Sequence, residues 1–163
     1  MKTKVIILFM LTSILSFGQK SKKQHIEGTV NKVNIEIDYS APSVKERTIY
    51  GELVPYGEVW RAGANANTTV EFSKNVTING QELSAGKYGL FVIPNGNHQA
   101  WEVVFSKKNN AWGAFSYKES EDALRVKVKA IDNEESVELL TYEVTKSGIK
   151  FAWADKHFVL AVK

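Results

Sequence analysis

The chain has 163 residues, no cysteine, and 21 basic against 18 acidic side chains, for a formal net charge of +3. The absence of thiols excludes disulfides, thiolate metal sites and a lipid-bearing cysteine. If the first 18 residues are removed, 19 basic residues face 18 acidic ones and the net charge falls to +1; such a near-neutral chain lacks the clustered positive field that a phosphate backbone demands, which argues against a nucleic-acid partner.

Removal is expected because residues 1–18 read as a signal peptide. Lys2 and Lys4 precede an apolar run from Val5 to Phe17 interrupted only by Thr12, Ser13 and Ser16, and Ser16 and Gly18 place small residues three and one positions before the cut. The run is shorter than the roughly 20 apolar residues of a bilayer-spanning helix. The expectation is export to the periplasm or the extracellular space, with no stable membrane anchor after cleavage. Residues 19–163 then form a single domain, long enough to bury a core without staples. The basic run Lys20-Ser21-Lys22-Lys23 reads as a solvated tail.

From residue 26 onward the pattern alternates with period two, and no long stretch shows helical spacing. Ile26–Val30 and Val33–Tyr39 read as strands, the second with Val33, Ile35, Ile37 and Tyr39 on one face and Asn34, Glu36 and Asp38 on the other. Thr68–Phe72 follows, then Val76–Ile78 and Gln81–Leu83, joined by Asn79-Gly80 in a two-residue turn. Lys87–Ile93 is apolar on both faces and reads as a central strand. Further strands are expected near Ala100–Ser106, Ala111–Tyr117, Leu124–Ala130, Val137–Val144, Ile149–Ala154 and Phe158–Val162. The pattern predicts an all-β fold: a single-domain antiparallel β-sandwich, jelly-roll-like, of about ten short strands.

Several linked motifs resemble a bacterial family catalogued as domain of unknown function 2911: Tyr39-Ser40-Ala41-Pro42-Ser43, Arg47-Thr48-Ile49-Tyr50-Gly51, Leu53-Val54-Pro55-Tyr56-Gly57, Val59-Trp60-Arg61-Ala62-Gly63-Ala64-Asn65 and Ala85-Gly86-Lys87-Tyr88-Gly89-Leu90-Phe91. The likeness continues through Trp112-Gly113, Leu124-Arg125-Val126 and Leu140-Thr141-Tyr142. It implies an exported protein of a Gram-negative bacterium and implies no activity. Glu46 stands where the family pattern has glycine, and Ser84 where it has proline.

The segment Trp60 to Asn67 is the leading candidate for chemistry, because it combines an aromatic plane, a guanidinium and amides in one Gly/Asn-rich loop. Tryptophan stacks on flat apolar faces, arginine holds carboxylates in a fixed fork, and asparagine offers a donor beside an acceptor. Ligand-binding candidates are therefore Arg47, Trp60, Arg61, Asn65 and Trp112. The opposing reading has Trp60 plugging the core, Arg61 satisfying carbonyls, Gly63 and the asparagines shaping a turn, and Arg47 pairing with Glu46, Glu52 or Glu58. Trp101 and Trp153 are expected in the core, whereas the small neighbours of Trp112 leave that ring reachable.

His25, His98 and His157 are scattered and sit in no nucleophile or zinc motif, so no catalytic residue, metal or cofactor is assigned. The leading expectation is a non-catalytic binding module for a small polar or glycan-like ligand or an envelope protein partner. The alternative is an envelope glycan or ester hydrolase using two carboxylates from Glu52, Glu58 and Glu71, or a carboxylate with His98. A third reading is a structural envelope protein whose polar motifs serve the fold alone.

Overall fold

The computed structural model describes residues 21–163 apart from Asn97. The signal-peptide expectation lies outside the described residues. Among the described residues there are ten antiparallel strands: β1 Lys22–Val30, β2 Val33–Ala41, β3 Thr68–Phe72, β4 Val76–Ile78, β5 Gln81–Leu83, β6 Gly86–Ile93, β7 Trp101–Ser106, β8 Asp122–Val128, β9 Ile131–Thr145 and β10 Gly148–Ala161.

One layer is a six-stranded sheet in the order β1-β2-β3-β6-β7-β8. The other is built from the β9–β10 and β4–β5 hairpins, which join where Ile78 bridges Val162. Alternation decides what each layer buries. Ile35, Ile37, Val70, Leu90, Val92, Val103 and Phe105 point inward from the large sheet and meet Leu140, Phe151, Trp153, Phe158 and Leu160 of the hairpin layer. Where β1 passes β9, a Cβ at Gly28 would lie 2.6 Å from Val144 Cβ, so glycine lets the two layers approach at that edge.

The expected alternation, the Asn79-Gly80 turn and the central position of β6 are all present. The positive φ of both turn residues, +48° and +84°, matches the turn chemistry. Three expectations need correction. The basic run is not a free tail, because Lys22 and Lys23 already pair with Ala41 and Ser40 in the first rungs of β1. The last two predicted strands are one strand, β10, which absorbs the Ala154-Asp155-Lys156 interruption as a bulge with Ala154 at φ +52°.

Ala111–Tyr117 is not a strand but a run of turns with Gly113 at φ +67°. It covers the outer face of the large sheet, where Ala114 and Tyr117 pack on Phe91, Ile93 and Val104. The apolar alternation there served a cover rather than a ladder.

Candidate functional site

Arg61 follows Trp60, which bridges Val92 of the central strand β6 through reciprocal 2.8 Å backbone bonds. The Trp60 Nε1–H donates to the Gly63 carbonyl at 3.1 Å, and Thr68 N–H donates back to the Arg61 carbonyl. The turn is therefore pinned at both ends. Gly63 is required by space, since a Cβ there would meet Thr68 Oγ1 at 2.7 Å and the Ser40 carbonyl at 3.1 Å.

This turn walls a cavity of about 470 Å³ lined by Trp60, Arg61, Trp153, Arg47, Lys45 and Lys22 among others. Among the described residues, four cationic side chains line it and no carboxylate does. None of the ion pairs among the described residues involves Arg61 or Arg47. Arg47 nevertheless has acceptors, donating to the Val44 and Ser43 carbonyls. Arg61 differs: its Nε is buried and finds no acceptor among the described residues.

Burial lowers the Arg61 pKa from its ordinary value, yet a guanidinium remains charged at neutral pH. The fully buried Trp153, which lines the same cavity, also has an Nε1–H without an acceptor. Two residues of one positively lined cavity thus carry buried donors unpaired among the described residues, an arrangement that an acceptor, and an anion above all, would complete.

A second cavity of about 650 Å³ lies over the outer face of β1 to β3 and beside the 109–112 segment. It includes Trp112, Asn67, Thr69, Asp38, His25 and Lys87, and it shares Gln24 with the first. Asp38 accepts from His25 at 2.8 Å and from Lys87 at 3.2 Å.

A family model described as "Protein of unknown function (DUF2911)" matches residues 21–162. The chain belongs to this family. No curated protein and no solved structure matches it.

Of the five candidate residues in this DUF2911 chain, Arg47, Trp60 and Arg61 line the cationic cavity, whereas Trp112 lines the outer one. Asn65 lines neither. It adopts φ +62°, its carbonyl accepts Gly113 N–H at 3.0 Å, and its side chain reaches the Ser21 carbonyl at 3.5 Å, so it holds the turn. Trp101 and Trp153 are 2% and 1% exposed, in the core as expected, and Trp112 is 68% exposed. The carbonyl-satisfying role considered for Arg61 falls to Arg47 instead.

Lys22 reads from sequence only as part of a solvated tail and Asn67 only as one amide of the Trp60–Asn67 loop, while Lys45 and the His25–Asp38 pair escape sequence reasoning. Only the β1–β2 register, which sets His25 opposite Asp38, exposes the last of these. Glu52, Glu58 and Glu71 line neither cavity, and His98 borders a separate cleft with Asp132 and Lys156. Among the described residues no group of three or more His, Asp or Glu is placed to hold a metal ion.

Proposed function

We propose that this is an exported, non-catalytic binding module that captures the anionic group of a polar, glycan-like ligand in the cavity between Arg47 and Arg61. The observation that carries this reading is Arg61: a partly buried guanidinium that, among the described residues, is paired with no carboxylate and has an Nε–H with no acceptor. Desolvating a cation without a partner costs stability, and an anion from outside restores the lost interactions as charge-assisted hydrogen bonds. Arg47, held on its own loop carbonyls, and Lys45 and Lys22 add positive field without the directionality of a free fork. The Trp60 ring, stacked on Trp153, gives the cavity a rigid apolar wall.

Calorimetric titration with glucuronate, galacturonate, N-acetylneuraminate and inorganic phosphate tests this function and separates a sugar carboxylate from a free phosphate. At least one of these binds, and Arg61→Gln, which keeps hydrogen-bond donors but removes the charge, weakens it about tenfold. Silence across all four, or equal binding by Arg61→Gln, contradicts the proposal.

A further inference from the structure

The geometry points to a second ligand site: the outer trough at Trp112 binds a neutral saccharide, with the indole as stacking platform and Asn67 of the same lining as hydrogen-bond donor. The first observation is the indole itself. Trp101 and Trp153 are in the core and Trp60 stacks on Trp153, but Trp112 is 68% exposed.

Its backbone is nonetheless fixed. Ala66 bridges Trp112, Asn67 and Ala111 exchange bonds of 3.0 Å through Asn67 N–H and Asn67 Oδ1, and Gly113 N–H donates to Asn65. An exposed aromatic on an ordered backbone gains nothing from core burial, and it presents contact area at little conformational cost.

The second observation is independent. Asn67 is only 6% exposed, and its Nδ2 has no acceptor among the described residues. Its orientation is dictated by the Ala111 N–H, which must meet an oxygen, so flipping the amide would break that bond without satisfying the nitrogen. The chain preserves room for this amide. A Cβ on Gly89 would lie 2.5 Å from Asn67 Nδ2 and would overlap the Lys108 carbonyl oxygen. Asn67 belongs to the lining of the trough, and a buried donor kept unpaired there calls for a partner.

The chemistry around these two groups selects the ligand class. A pyranose offers an apolar C–H face to an aromatic ring and a rim of hydroxyls that each donate and accept. The trough answers with a donor in Asn67, an acceptor in Asp38 and a further donor in Lys87, all in a cavity of about 650 Å³ that lies within the range of small-ligand sites. Asp38 opposes a free phosphate, and an apolar ligand would leave Asn67 unpaired. The trough sets the Asp38 carboxylate beside Lys23 and Lys87, unlike the lining around Arg61, which holds no carboxylate among the described residues, and that carboxylate favours an uncharged sugar over an anion.

The test uses the purified protein on an array of neutral oligosaccharides of glucose, N-acetylglucosamine, mannose, galactose and xylose, followed by titration of any retained sugar with intrinsic fluorescence as readout. At least one sugar is retained and shifts the emission of the exposed indole. Trp112→Ala weakens it about tenfold at an unchanged unfolding midpoint, and Asp38→Asn, a surface change, also weakens it. Lys45→Met, in the anion cavity, leaves it intact, which separates this site from that cavity. Retention of no sugar, unchanged affinity in Trp112→Ala, or loss of sugar binding in Lys45→Met overturns the assignment. So does the finding that Trp112→Ala instead abolishes attachment to lipid vesicles or to a protein partner.

Discussion

Trp60 lies nearly parallel to Trp153, with ring centroids 5.5 Å apart and planes 20° off, and meets Phe151 edge-on at 6.1 Å. The residue that reads from sequence as a ligand platform is thus also the bolt that fastens the Arg61 turn to the core. Trp60→Ala is expected to cost about 3 kcal/mol of stability, the low end for removing a large aromatic because the ring is only partly buried. Trp60→Phe, which keeps most of the stack, costs less. Urea unfolding of the two variants measures both.

Arg61 should show the opposite sign. Replacing an unpaired, partly desolvated cation with an apolar chain of similar length removes a penalty, so Arg61→Met is expected to stabilise the fold by roughly 1 kcal/mol while abolishing anion binding. A structural arginine would instead destabilise on removal. Unfolding midpoints and titration of the same variant give the two readouts together.

Gly63→Ala forces a methyl against Thr68 Oγ1 and the Ser40 carbonyl. The neighbour at 3.1 Å is backbone and gives little, so the substitution is expected to cost about 1–3 kcal/mol and to displace Arg61. Thermal unfolding measures the cost, and weakened anion binding in the folded variant reports the displacement.

Strand pattern, turn chemistry and the two-layer fold were legible because alternation in β2 and Asn79-Gly80 are local signals. The site was only partly so. Arg61 and Trp60 stood out by residue type, but the contrast between Arg61 and Arg47 depends on which of them finds carbonyls, a matter of loop geometry. The 111–117 segment misled because burial of Ala114 and Tyr117 against Phe91 mimics the alternation of a strand. His25 and Asp38 meet across a strand register that no local pattern reveals, and Asn67 is held by the N–H of Ala111, 44 positions further along the chain.

The His25–Asp38 pair predicts a pH signature. The hydrogen bond to Asp38 raises the His25 pKa above 6.5 against an opposing effect of desolvation, with Asp38, Glu36 and Glu27 adding negative field. Desolvation pushes Asp38 up, but hydrogen bonds from His25 and Lys87 outweigh it and hold the carboxyl below 3.8. The raised histidine contributes stability in full below 6.5 and loses it as pH rises through the folded value; the lowered aspartate contributes in full above 3.8 and loses it as pH falls through its own. The contribution is therefore greatest between those two ordinary values. Imidazole proton NMR of Asp38→Asn is expected to show His25 titrating closer to 6.5; an unmoved midpoint would mean that Asp38 is not its partner.

The central claim concerns one N–H group, and it can be watched directly. In a nitrogen-15-labelled sample, the Arg61 Nε–Hε resonance, assigned by its loss in Arg61→Met, is followed while glucuronate and then inorganic phosphate are added. The account predicts a saturable downfield shift of this resonance with at least one of the two, larger than that of Arg47. A resonance that stays fixed while either anion binds elsewhere, or that moves only linearly with ionic strength, would contradict it.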